Sequence, residues 1–302
     1  MLIDYDLTIG IPVFNEEKYI KNTITSIQNQ SYKHFNIYLF DDQSTDKSYC
    51  IAKELAHEDE RISLFRNTEN MGNLYTFLQL LKVSKTKFFG WVGAHDLLDE
   101  HYVSLLLNEL KKDVSVSYVY GDLCFIDEEN NYLGKDDKKL ILPKEDMTNV
   151  KNYIQMIGQC RTGGINFHGI YRKEVLNNFW QTQKNTYVGW DHIILSRANF
   201  FGVKHVPTAR YRMRKFENRS STTFTRLISK KSHLISIRPN YIPLLMGYYR
   251  DYLSLPISFF NKFIGLLRIT KRVPVQYEFS LLKNLLLHIL FVLKSKPLWR
   301  RV

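Results

Sequence analysis

Three apolar stretches of strand length each run into a short polar cluster. Leu7–Val13 leads to Phe14-Asn15-Glu16, Phe35–Phe40 to Asp41-Asp42, and Phe88–Val92 to Gly93-Ala94-His95-Asp96. The adjacent acids need a reason. Like charges repel, so such pairs persist where a cation, a base edge or a helix N-terminus receives them. In Asp41-Asp42-Gln43-Ser44-Thr45-Asp46, Ser44 has the chemistry of a helix cap and Asp46 that of a first-turn acid. Capping does not call for two carboxylates ahead of it, so one of the pair is expected to face a ligand.

The segments between these clusters have helical spacing. Glu16–Gln30 carries Tyr19, Ile20, Ile24 and Ile27 on one side, and Ser44–His57 and Asn73–Val83 read as further helices, with Ile62–Phe65 as another strand. Strand and helix in alternation predict parallel strands with crossover helices, an α/β sheet. In such sheets ligands sit outside the carboxyl ends of the strands, where all three polar clusters fall.

The segments I-G-I-P-V-F-N-E-E-K-Y-I, L-F-D-D-Q-S-T-D-K-S, N-M-G-N and W-V-G-A-H-D-L-L resemble glycosyltransferase family 2 in both order and spacing. The resemblance covers about Leu7 to Thr223. It implies a GT-A fold, a nucleotide-binding α/β domain that transfers a sugar from a nucleotide-sugar donor. On this resemblance Phe14, with Asn15 and Glu16 beside it, would lie against the donor base. Asp42 would accept the N–H edge of a uracil, and Asp41 would sit at the ribose or support the loop. Asn70 and Gly72 match the family's loop near the donor.

The family usually shows D-x-D-D after its fourth strand, where carboxylates hold Mg²⁺ or Mn²⁺ against the diphosphate. Here Gly93 and His95 replace the first two acids and Asp96 remains. The implied cofactor is a divalent cation held by His95 and Asp96, with Mn²⁺ favoured because Mg²⁺ prefers oxygen ligands. Alternatively His95 meets the diphosphate directly. In Gly189-Trp190-Asp191-His192, Asp191 matches the acidic catalytic segment of inverting members and is expected to take the acceptor's proton. His168 is more readily structural than catalytic. Arg212, with Arg214, Lys215 and Arg219, is expected to close over the diphosphate as a loop, since a guanidinium fork suits phosphate oxygens. The altered metal motif leaves a competing class open: a relative that binds nucleotide sugar or a partner without transfer.

Composition divides the chain. Of 42 basic residues 14 lie from Arg226 onward, where only Asp251 and Glu278 oppose them, so the net charge of +12 resides in the last quarter. The expected organisation is a GT-A domain over 1–225 and a basic, aromatic-rich helical extension over 226–302. No apolar run there reaches the roughly 20 residues of a spanning helix, and the start M-L-I-D-Y-D-L lacks the basic and apolar regions of a signal peptide. Helices with wide apolar faces edged by Lys and Arg suit an anionic membrane surface. The expectation is a cytoplasmic enzyme, peripheral on the inner face of the membrane. Its partners would be a nucleotide-sugar donor and a saccharide or lipid-linked saccharide acceptor, with no nucleic acid.

Overall fold

The computed structural model describes residues 4–136, 149–157, 167–176, 179, 190–217 and 242–276. They form a nine-stranded sheet of order β3-β2-β1-β4-β8-β6-β9-β5, with β7 paired to β6. β1 (Leu7–Val13), β2 (Phe35–Asp41), β3 (Ile62–Arg66) and β4 (Phe88–Trp91) run parallel, joined by α1 (Ile20–Gln28), α2 (Ser48–Glu58) and α3 (Asn73–Val83). β5 (Leu97–Leu98) and α4 (Tyr102–Lys112) follow. β6 (Tyr118–Ile126), β7 (Tyr132–Lys135) and β8 (Gly169–Arg172) are antiparallel neighbours, while β9 (Val203–Arg214) runs parallel to β6 and antiparallel to β5. This is the expected α/β architecture, with most of its paired length parallel.

Two apolar cores flank the sheet. Alternate residues Leu7, Ile9, Ile11 and Val13 of β1 pack with Ile24 and Ile27 of α1 and Leu106 of α4, as the period of two in a strand requires. The opposite core joins Leu81 of α3 and Trp91 of β4 to α5 (Asn149–Ile157), α6 (Trp190–Phe201) and α7 (Ile242–Ser254). At Gly10 an added Cβ would lie 2.9 Å from the Phe89 ring and 3.2 Å from Leu80 Cβ, so a side chain there would push α3 off the sheet.

α1 and α2 begin four residues later than their spacing predicts. The N–H groups that would open α2 are taken elsewhere. Ser44 N donates to the Asp41 carboxylate (3.3 and 3.2 Å) and Thr45 N to Asn15 Oδ1 (2.9 Å). Asp46 Oδ1 then accepts Ser48 N (2.9 Å) in the first turn, so Ser44 is not the cap.

Part of the expected basic extension joins the main core. Leu244, Leu245, Tyr248 and Tyr252 of α7 belong to the same core as Trp91 and Trp190. Arg197 of α6 donates to Asp251 Oδ1 (3.0 Å), and the Tyr153 hydroxyl of α5 donates to Asp251 Oδ2 (3.0 Å). α8 (Phe259–Gln276) then packs on α7, with Ile269 and Val273 buried. Residues 218–241, which hold the expected boundary, and the basic segment 277–302 lie outside the described residues. No helix among the described residues is long and apolar enough to cross a membrane.

Candidate active site

The parallel strands deliver the predicted residues to one end of the sheet. Asn15 and Gln43, just past β1 and β2, have φ of 55° and 61°. These left-handed turns stop both strands side by side, and Asn15 N donates to Ser44 Oγ (3.1 Å) to bind the turns together. Phe14 is half-buried and Asn15 exposed between them.

The two adjacent acids have separate tasks. Asp41, fully buried, holds Ser44 N and accepts Arg66 Nε (3.0 Å). Asp42, also buried, accepts Asn67 Nδ2 (2.6 Å) and Met71 N (2.8 Å) at Oδ1 and Gly72 N (2.8 Å) at Oδ2. Asn70 Nδ2 donates to the Asp42 carbonyl (3.1 Å). The N-M-G loop is therefore wrapped around Asp42, and Gly72, at φ 90°, supplies a turn that other residues rarely adopt.

The third cluster departs from the expected metal pair. Asp96 is buried, with Tyr211 Oη donating to its Oδ2 (2.7 Å) and Arg214 N to its Oδ1 (2.8 Å). Burial and the neighbouring Asp96 push the Tyr211 phenol well above its usual pKa, so it stays a donor. The same hydroxyl accepts Gly93 N (3.0 Å). A Cβ at Gly93 would lie 2.5 Å from Asp96 Oδ2, so glycine leaves room for this carboxylate. His95 pairs through Nδ1 with Glu16 Oε1 (3.0 Å), its ring edge-on to Phe216 with centroids 5.1 Å apart. Among the described residues no group of three His, Cys, Asp or Glu side chains could hold a metal. His95 Nε2 lies 3.9 Å from Asp96 Oδ1, while His95 Nδ1 is engaged by Glu16 and each Asp96 oxygen accepts one internal hydrogen bond, so these two side chains alone make no cation cage.

Arg212 is also placed differently. Y-R-M-R closes the twelve-residue strand β9, where Arg212 lies opposite Cys124 of β6, so it belongs to no mobile loop. Its guanidinium pairs with Asp99, whose carbonyl accepts Gln30 Nε2 (2.8 Å) beyond the end of α1 remote from Glu16. Arg214 is the arginine at the site. Its Nε donates to the His95 carbonyl (2.8 Å), its Nη2 to Asn130 Oδ1 (2.6 Å), and it lies 4.6 Å over the Tyr19 ring. Lys215 covers the Phe125 ring (3.9 Å), and Arg219 lies outside the described residues.

Asp191 enters from the other core. Trp190 packs edge-on to Phe77 (5.0 Å) and Phe167 (5.3 Å), and Phe167 stacks on Trp91 (4.8 Å) at the end of β4. This aromatic chain ties the first turn of α6 to the strand ends. Asp191 sits in that turn, not at the cap, with its side chain 24% exposed and His192 Nε2 4.0 Å away. Its charge reaches His168, which stacks on Tyr211 (4.6 Å). Burial pushes the His168 imidazole down from its ordinary pKa, so the ring stays neutral and packs as a structural element. Asn67, Tyr211 and Phe216 are missing from the sequence prediction, whereas Arg214 is among the four cations expected near the diphosphate. For Tyr211 the available signal is the period-two alternation of Ala209, Tyr211 and Met213 with Arg210 and Arg212; Arg214 breaks that pattern, being buried where Arg210 and Arg212 are exposed.

The fold is shared with solved structures. S. aureus TarS 1-349, in a structure described as a complex with UDP-GlcNAc, superposes at a TM-score of 0.62 with 15% identity, over 97% of this chain and 76% of that one. A Methanococcus voltae protein named dolichyl N-acetyl-alpha-D-glucosaminyl phosphate 3-beta-D-2,3-diacetamido-2,3-dideoxy-beta-D-glucuronosyltransferase is 36% identical over 101 residues, 32% of this chain and 31% of its own length. The Campylobacter jejuni GalNAc(5)-diNAcBac-PP-undecaprenol beta-1,3-glucosyltransferase is 27% identical over 173 residues, 57% of this chain and 53% of its own. The chain thus spans about half or less of these two relatives. The model of glycosyl transferase family 2 matches residues 8–180, a stretch that holds the three strand-end clusters and the N-M-G loop, and the chain belongs to that family of glycosyltransferases.

Proposed function

We propose that the strand-end crevice takes a UDP-linked sugar and that Asp191 assists its transfer, with inversion, to a saccharide or lipid-linked saccharide in surface-glycan synthesis at the inner membrane face. The observation that carries this reading is the contrast among the acids. Asp41, Asp42 and Asp96 are buried with their oxygens accepting internal donors, whereas Asp191 is partly open on an anchored helix start. In this reading Phe14 lies against the uracil face. Asp42 offers a remaining lone pair of Oδ2 to the imide N–H, since a carboxylate has about four acceptor sites. Asp41, bound to Arg66 and Ser44, holds the loop, as do Asn15, Asn70 and Gly72. Glu16 orients His95 beside the diphosphate.

The acceptor oxygen attacks the anomeric carbon from the side opposite the leaving group. The bond from that carbon to the β-phosphate oxygen breaks, UDP departs with the electron pair, and the acceptor's proton goes to Asp191. The acceptor class draws support from relatives named for dolichyl- and undecaprenol-linked saccharides.

Asp191→Asn is expected to lower turnover by about 10²–10⁴-fold, the usual range for general-base assistance, while UDP binding by calorimetry stays close to wild type. A variant keeping more than about a tenth of wild-type turnover would remove Asp191 from the role. Mn²⁺ added to EDTA-treated enzyme should raise turnover by less than about tenfold, and a larger rise would return His95 to the ligands, since imidazole suits Mn²⁺.

A further inference from the structure

α8 has two unlike sides. Its inner side is fitted closely to α7. An added Cβ at Gly265 would fall 2.0 Å from Tyr252 Oη, so only glycine allows the approach, and that hydroxyl donates to the Asn261 carbonyl (2.9 Å). Ile269 and Val273, one helical turn apart and on the same side as Gly265, are buried.

The outer side has the opposite character. Phe259, Phe263 and Leu267 recur at intervals of four and are 87%, 56% and 55% exposed, with Phe260 beside them at 70%. At about 100° per residue these four side chains share one arc of roughly a quarter turn. Exposed large apolar groups in a contiguous stripe mark an interaction surface. The helix also carries Lys262, Arg268 and Lys271, while Arg272 donates to the Gln155 carbonyl of α5 (3.5 Å), and Phe259–Gln276 contains no acid. The acid that α7 brings nearby, Asp251, is fully buried against Arg197 and Tyr153, so it does not offset these cations at the surface.

We propose that the outer face of α8 seats the enzyme on an anionic bilayer, with Phe259, Phe260, Phe263 and Leu267 entering the headgroup boundary and Lys262, Arg268 and Lys271 at the phosphate level. Apolar insertion next to unopposed Lys and Arg is the combination that interfacial helices use. A second copy of the chain would bring the same cations face to face. This assignment is independent of the catalytic roles given above, because α8 contributes none of the strand-end residues.

The test is sedimentation of the full chain with vesicles of phosphatidylcholine alone or with about 30% phosphatidylglycerol, at low and high salt. Wild type should bind the anionic vesicles, and less so in salt. Phe259→Ser/Phe263→Ser and, separately, Arg268→Glu/Lys271→Glu should each weaken binding by about tenfold or more. Because these side chains are exposed, the melting temperature and UDP binding should stay unchanged, which separates lost docking from lost folding. Undiminished vesicle binding by both variants would overturn the proposal. So would failure of the wild type to bind, a dimer that the Phe variant disperses, or binding to single-stranded RNA that outcompetes the vesicles.

Discussion

Asp42 and Asp96 of the strand-end crevice and Asp251 of the seam beneath α7 are all buried carboxylates, held by different means. Asp41, paired with Arg66, resembles the seam. At the seam Asp251 faces a full charge: Arg197 lies 3.0 Å away and the Tyr153 hydroxyl completes the set. At the crevice Asp42 and Asp96 are held by neutral donors, an amide, a phenol and backbone N–H groups. A charge pair neutralises and locks two helices. Neutral donors fix a carboxylate in place and leave its charge to act on whatever enters. The seam therefore serves cohesion, and the crevice keeps its negative groups in a defined geometry.

That contrast predicts a ranking. Removing one partner of a buried pair costs about 3–5 kcal/mol, so Asp251→Ala should produce a loss of that size in urea unfolding. Asp42→Asn should cost about 1–3 kcal/mol, because one amide NH₂ would then face a backbone donor. Equal losses at the two positions would erase the distinction.

A smaller effect tests the crevice by pH. Burial lowers the folded-state pKa of His168 against the opposing pull of Asp96, Asp191 and the Trp91 carbonyl, while His95 adds to the lowering. The unfolded chain protonates first, near 6.5. The neutral ring's contribution is complete above that pH and declines as pH falls from there toward the folded value. The slope is at most about 1.4 kcal/mol per pH unit. Unfolding free energies at several pH values between neutral and mildly acid should fall less steeply in His168→Gln, and an unchanged slope would exclude His168 as the source.

The legible part of the chain is the part whose contacts are local. Asn73–Val83 has the bounds its spacing predicts, and β1 to β4 follow from apolar runs ended by polar clusters. The starts of α1 and α2 were hidden because Asn15, Glu16 and Asp41 bond to groups that local periodicity does not see, as when Glu16 N donates to Ser48 Oγ (2.7 Å). Beyond Asp113 the strands pair over long separations, β6 with β9 and β8, and their alternation is blurred by aromatics and arginines. The +12 excess lies in the last quarter, yet Tyr248 and Tyr252 at helical spacing carry the core into that quarter. Asp251, a rare acid in a basic segment, was the signal that this segment has a buried partner.

The glycine at position 93 bears on how such a motif can change over time. Asp96 Oδ2 lies 2.5 Å from where a Cβ at position 93 would stand. A single reversion to the family's first aspartate would meet a carboxylate at close range and set two like charges together. An aspartate at 93 is therefore expected to need the Asp96 side chain to shift or to be replaced. The expected consequence is epistasis between positions 93 and 96: the effect of a side chain at 93 depends on the residue at 96.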